Sequence, residues 1–233
     1  MSGLHHLLTW FNDPANWHGT DGIPTRMTEH LVLWAKAMVI AVAIAVPGGL
    51  LLGRSRRSGV VTVNVANVGR AIPSFAVLVL GVIWFGLSDT PVVIALVLLA
   101  IPPMFTFTFT GVRQVDRDVV ESARGMGMTE VRLLRSVQVP LASPLILNGI
   151  RLSSAAVLAT APLAALIGSG GLGRYVIDGF AVRDYAEVGA GVVIVIVLVV
   201  LNELLFAALI ARTTPGPRTR RRRLRMPRAT SSC

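Results

Sequence analysis

Cysteine occurs once in these 233 residues, as Cys233 at the terminus. A disulfide therefore cannot close within the chain, and no thiol chemistry is expected of that end position. Charge is scarce as well. Asp, Glu, Lys and Arg make up 15% of the sequence, against about 25% in ordinary soluble domains, which excludes a water-soluble globular fold. The chain has no GxxxxGK[ST] phosphate loop and so no nucleotide site of that kind. His5 and His6 stand without acidic or cysteine partners, so no metal site is expected. The opening MSGLHHLLTWFNDPANWHGTDGIPT lacks a basic start, a sustained apolar core and a small-residue cleavage site, and it does not read as a cleavable signal peptide. The apolar runs lack the two-residue alternation of a barrel wall.

What the sequence does have is apolar length. Hydrophobic residues make up 53% and the mean hydropathy is +0.68. Runs at about 31–52, 71–87, 91–110, 145–167 and 188–211 suit helices crossing a hydrocarbon core of about 30 Å, which takes about 20 residues each. The reading is an all-α membrane protein of about five transmembrane helices. The second run is short, and the turn-rich GLSDTP after it makes a hairpin into the third.

The net charge of +10 is unevenly placed. Arg54, Arg56 and Arg57 follow the first run; Arg113, Arg117, Arg124, Arg132 and Arg135 lie between the third and fourth; RTRRRRLRMPR follows the fifth. Because cytoplasmic loops retain Lys and Arg, five spans thread with the N-terminus outside and the C-terminus inside, and all three clusters agree. The domain reading is an extracytoplasmic tail over 1–27, with Trp10, Phe11 and Trp17 at headgroup level or in a disordered leader, then a membrane domain over 28–211 and a basic cytoplasmic tail over 212–233. The tail is read as a topology determinant that also suits anionic lipid. It lacks the stacking aromatics or module that nucleic-acid binding needs, so no nucleic-acid partner is expected.

Residues 113–144 do not read as a linker. Val120, Ala123, Gly127, Val131 and Leu134 recur at three- and four-residue steps, with Arg117, Glu121, Arg124, Arg132 and Arg135 opposite. Gly125 and Gly127 weaken the helix between its halves. Thr129 followed by Glu130 restarts it with a hydroxyl cap and a first-turn acid. Pro140 and Pro144 are expected to bound the second helix. Such a loop suits either a protein surface or anionic headgroups. Glu121, lying at helical spacing from Arg117 and Arg124, is read as an ion pair or cap rather than a catalytic acid, which would need a positioned second group.

The run Glu121, Ser122, Ala123, then Gly127, then Val137, Val139 and Pro140 resembles the EAA loop of permease subunits of binding-protein-dependent ABC importers. The spacing matches throughout, with Ser122 replacing an alanine and valines replacing Ile and Leu. IPSFA, IPPMFTFTFTGVRQVD, ARGMGMT and IGSGGLG extend the likeness to the osmoprotectant branch over roughly 28–211. The resemblance implies a type I importer permease fold in the bacterial cytoplasmic membrane. It implies that Glu121, Ala123, Gly127, Thr129, Glu130, Leu134, Val137 and Pro140 serve the coupling loop, with residues 129–138 docking in a cytoplasmic ATPase subunit. It further implies two permease subunits, identical or paralogous, and a separate extracytoplasmic binding protein. The chain would not itself be an enzyme and would bind no cofactor, ATP and Mg belonging to the ATPase. The implied substrates are glycine betaine, choline, carnitine or related solutes. Another small polar solute such as an amino acid, or a secondary transporter, is the alternative.

Candidate path residues are Thr106, Phe107, Asn148 and Glu203, because polar groups in apolar spans turn from lipid and aromatic faces attract quaternary ammonium. Glu203 either favours a cation or pairs with Arg151. Lys36 is read as snorkelling. IGSGGLG follows an apolar span rather than a strand, so it is no dinucleotide fingerprint. It reads as a tight turn or a short re-entrant segment, and the resemblance places Gly168, Gly170, Gly171 and Gly173 near the docked binding protein.

Overall fold

The computed structural model describes residues 2–54 and 74–213, and every regular element among them is helical. In chain order these are α1 (Ser2–Asn12), α2 (Ile23–Gly53), α3 (Ser74–Phe85), α4 (Asp89–Arg113), α5 (Arg117–Gly125), α6 (Glu130–Leu133), α7 (Val139–Thr160), α8 (Gly173–Val182) and α9 (Tyr185–Thr213). Short 3-10 turns fill Pro14–Trp17 and Ala161–Ile167, and one π-helical turn, Leu134–Gln138, joins α6 to α7. Arg56, Arg57, the first residues of IPSFA, and the arginine-rich tail with Cys233 lie outside the described residues.

Among the described residues, four helical stretches are long and apolar enough to cross a membrane: Ile23–Gly53, Asp89–Arg113, Glu130–Ile167 and Tyr185–Thr213. A shorter apolar helix, Phe75–Phe85, accompanies them at the second expected span. The first span starts at Ile23, upstream of residue 28, because Gly22 takes an extended N-cap conformation and Pro24 occupies the first turn, where its missing N–H costs nothing. Residues 2–12 form a helix of their own, packed against α9.

Small residues set how closely the bundle packs. Ala37, Ala41, Ala45, Gly49 and Gly53 recur every fourth residue of α2 and are all buried, giving a ridge flat enough for close backbone approach. A Cβ on Gly49 would meet Thr108 at 2.7 Å, and one on Gly53 would meet Val112 at 3.0 Å. On the other side of α4, a Cβ on Gly149 would meet Phe107 at 2.7 Å. Thus α4, carrying the fully buried Ala100 and Met104, is wedged between α2 and α7. By contrast α9 is the least buried of the long helices and exposes Ile196, Val200, Leu201, Leu204 and Leu205.

The prolines do not end the second loop helix, contrary to the sequence expectation. The chain runs helically from Glu130 to Ile167, with Pro140 in the first turn of α7 and Pro144 inside it. The π-helical turn before Pro140 is the physical reason: Val139 N–H bonds the Leu134 carbonyl five residues back, so the wider turn absorbs the ring where an α-turn would clash.

Candidate functional site

The loop between α4 and α7 is built from three local devices. Asp116 caps α5, its carboxylate accepting from Asp118 N–H at 2.9 Å. Gly127 closes that helix in the left-handed region at φ +80°. Its N–H bonds the Arg124 carbonyl at 2.9 Å, and Met128 N–H bonds the Ala123 carbonyl at 3.3 Å. These two bonds form a Schellman stop, for which glycine lacks the Cβ that penalises other residues. Thr129 then caps the next helix, its hydroxyl accepting from Arg132 N–H at 3.4 Å.

The same turn brings charges together. Glu130 accepts from Arg124 Nε at 2.8 Å and also pairs with Arg54 at the end of α2. Arg124, and then Arg54, hold the Glu130 carboxyl below the usual carboxylate range. The loop is thereby tied to a membrane helix 76 residues away in sequence, a link that spacing alone does not reveal. Glu121 forms no ion pair among the described residues: Arg124 bonds Glu130 instead, and Glu121 acts on it only as a nearby charge. Glu121 lines a cleft of about 150 Å³ with Arg54, Arg113, Arg117, Arg124 and Gln138.

Ala123 is buried as expected, but in the second half the buried apolar residue is Leu133 at 0% exposure, not Leu134, which is half-buried with Val137; Gln138 is buried as well. Val131, read as part of the apolar stripe, is 60% exposed. The left-handed Gly127 resets the helical phase, so one periodicity cannot be carried across it. Gly127, Thr129, Glu130 and Pro140 are exposed. Apolar Val119, Met126 and Val131 are exposed as well; Val119 and Met126 lie one helical step to either side of Ala123 and were not among the residues read as the stripe.

At the end of the bundle where α2 and α4 begin, the glycine-rich loop is anchored on both sides. Gly168 (φ +82°) stops the Ala161–Ile167 turn and Gly171 (φ +97°) bends the chain back. Gly171 N–H donates to Glu29 Oε2 at 2.7 Å, and Ser169 Oγ donates to Asp89 Oδ1 at 2.7 Å. A Cβ on Gly170 would strike the Glu29 carboxylate, and one on Gly173 the Pro162 carbonyl. Arg26 joins Glu29 at 3.0 Å and pairs with Asp21, whose carbonyl accepts from Tyr175 Oη at 2.6 Å. Burial pushes the Tyr175 phenol up to about 12. A cavity of about 300 Å³ opens here, lined by Thr25, Thr28, Glu29, Asp89, Ser169 and Gly170. Glu29 and Asp89 were not legible as loop anchors, their partners lying 142 and 80 residues away.

Within the spans several polar residues are paired, while His30 Nε2 and Asn202 Nδ2 are buried without a hydrogen-bond partner among the described residues. Arg151 of α7 and Glu203 of α9 form an ion pair, with Nε to Oε2 at 2.5 Å. Trp34 Nε1 donates to Ser154 Oγ at 3.2 Å, and Ser154 donates to Asn202 Oδ1 at 2.6 Å. Thr106 and Asn148 are half-buried and donate to carbonyls four residues back, those of Pro102 at 2.7 Å and Pro144 at 2.9 Å. Phe107 is half-buried against Gly149. Glu203 is therefore held by Arg151 rather than presented alone. Lys36 lies 3.9 Å from Asp89. No cluster of three metal-ligating side chains occurs among the described residues.

Comparison with known proteins places this architecture. Residues 45–216 match the family described as binding-protein-dependent transport system inner membrane component. The carnitine transport permease protein OpuCB of Listeria monocytogenes is 37% identical over 90% of this chain and 94% of its own. The choline transport system permease protein OpuBB of Bacillus subtilis is 32% identical over 91% and 96%. The osmoprotectant import permease protein OsmY of Salmonella typhimurium is 34% identical over 80% of each chain. In fold, an inward-facing structure of the MetNI methionine ABC transporter superposes with a TM-score of 0.71 at 19% identity, covering 80% of this chain and 94% of that one.

Proposed function

Since the chain belongs to the family of binding-protein-dependent transport system inner membrane components, a multi-pass membrane protein, we propose that it is the permease subunit of an ATP-driven importer of osmoprotectants such as glycine betaine, choline or carnitine. Substrate reaches it from an extracytoplasmic binding protein, and a second permease subunit completes the path. A separate cytoplasmic ATPase binds ATP and Mg and performs the hydrolysis.

The observation that carries the reading is the construction of the 116–138 loop. Two caps, a Schellman stop and a two-arginine clamp on Glu130 make it stiff, yet it leaves Val119, Met126 and Val131 uncovered. A stiff element with an uncovered apolar surface suits docking onto a moving partner, because a rigid-body displacement is passed on only by a part that does not bend. The unbroken helical path from Glu130 through the π-turn into α7 supplies the lever. Displacement of residue 129 moves α7, which carries Arg151 and Ser154 against α9. The basic ends set this loop on the cytoplasmic side, opposite the Glu29–Gly171 network that faces the binding protein. For the substrate class, the relatives at 32–37% identity weigh more than the methionine transporter, whose likeness at 19% is one of fold.

Affinity-tagged chain expressed with the ATPase subunit tests the docking: the pair should co-purify, and Val131→Asp should release the ATPase while leaving the chain in the membrane. Retention of the ATPase by both Val131→Asp and Met126→Asp would refute docking through this surface.

A further inference from the structure

We infer that α1 is a bilayer-seated helix whose Leu4 and Leu8 contact lipid acyl chains at the end of the molecule where α9 begins. This rests on the membrane location of the chain and not on its substrate or its ATPase.

The argument starts from the helix wheel. At about 100° per residue, Leu7, Phe11, Leu4 and Leu8 of SGLHHLLTWFN fall within an arc of about 100°, with Trp10 at one edge and Asn12, His5, Thr9 and His6 on the opposite side. That apolar arc is wider than the contact α1 makes with its own protein. Trp10, Leu7 and Phe11 are half-buried: Trp10 packs edge-on against Tyr175 with ring centroids 5.4 Å apart, and Leu7 reaches to 3.3 Å of the place a Gly189 Cβ would take. Trp10 and Phe11 thus face the buried cluster of Ile23, Leu172, Tyr175 and Ile194. The remaining third of the arc is uncovered. Leu4 is 67% and Leu8 55% exposed.

What covers those leucines follows from their neighbours. Gly189, which Leu7 touches, is the fifth residue of α9, and the next turns of that helix expose Val192, Val193 and Ile196. Those valines and the isoleucine belong to the apolar surface of a membrane-crossing helix. Leu4 and Leu8 sit on the helix that Leu7 seats against Gly189, and so belong to the end of the molecule where α9 exposes its apolar side chains. Covering the two leucines with lipid removes apolar surface from water, which favours the seated position. The charge pattern agrees, since α1 contains no acidic or basic side chain other than the two histidines, and both lie outside the apolar arc.

The test uses the full chain in liposomes. With Cys233→Ser as background, Leu4→Cys, Leu8→Cys and Thr9→Cys are spin-labelled singly, and collision with oxygen, which partitions into lipid, is compared with collision with a water-soluble nickel chelate. The expected result is oxygen dominant at positions 4 and 8 and nickel dominant at position 9. Nickel dominance at 4 and 8, or equal readings at 8 and 9, would overturn the inference. Protection of 4 and 8 from both probes would also overturn it, since that marks a protein, whether a second copy or a soluble partner, on this face.

Discussion

Arg151 of α7 and Glu203 of α9 pair with each other inside the membrane span, and each side chain keeps about a third of its surface uncovered, 35% and 34%. Charges so placed do not face lipid. The pair thus leaves a charged edge open on α7 and α9, and the proposed function expects that edge to turn away from lipid.

Breaking the pair from one side should cost more than removing it whole. Glu203→Gln strands the guanidinium, a loss on the order of 2 kcal/mol once partial exposure is allowed for. The double variant Arg151→Leu with Glu203→Leu should recover most of that. Thermal unfolding of the detergent-solubilised protein reads the difference. If Glu203→Gln unfolds at the temperature of the unaltered chain, the pair does not hold α7 to α9.

Gly127 gives a prediction in which shape and space separate. A Cβ there would meet nothing within 4 Å, yet the residue sits at φ +80°. Substitution is therefore a purely conformational insult of about 1–2 kcal/mol for most side chains and less for asparagine. Substrate-stimulated ATP hydrolysis in the assembled transporter should fall in the order Gly, Asn, Ala, Val at position 127. Equal activity for Asn and Val would show that the Schellman stop is not what keeps the loop stiff.

At the opposite end Gly170→Ala should push the Glu29 carboxylate off the Gly171 N–H. A hydrogen bond to a charged group is worth about 1.5–3 kcal/mol, so loss of binding-protein-stimulated uptake is expected. Glu29→Ala alone should reproduce the defect, and adding it to Gly170→Ala should lower uptake little further, because both remove the same hydrogen bond. An additive double variant would mean that Gly170 acts through something other than Glu29.

Between these ends lies the packing of α4. Gly149→Val brings a side chain to where Phe107 already stands, 2.7 Å from the new Cβ. Overpacking of this kind costs about 1–3 kcal/mol, and membrane-inserted yield should drop. Adding Phe107→Gly, which removes the Cβ that the new side chain strikes, should restore part of it; no recovery would place the strain against the Met104 backbone, 3.3 Å away, instead.

Much of this was legible in the chain before any coordinates. Apolar length gave the spans and the Gly127–Thr129 pair gave the stop and restart, because each signal is local. What escaped was non-local or phase-dependent. Leu133 replaced Leu134 as the buried residue because a left-handed glycine rotates everything after it. The Pro140 stop failed because a π-turn accepted the ring. Glu130 displaced Glu121 as the bridging carboxylate because its second partner, Arg54, comes from another helix. Glu29 and Asp89, which hold the glycine loop, carry no motif at all; only folding brings them to it.

Uptake into sealed proteoliposomes tests the central claim most directly. Vesicles hold this chain with or without the ATPase subunit and internal ATP, and the binding protein with radiolabelled glycine betaine, choline or carnitine is supplied outside. Accumulation against a gradient is predicted only when ATPase and ATP are both present, and it should be lost in Gly127→Val. Accumulation in vesicles that contain this chain alone would contradict the account.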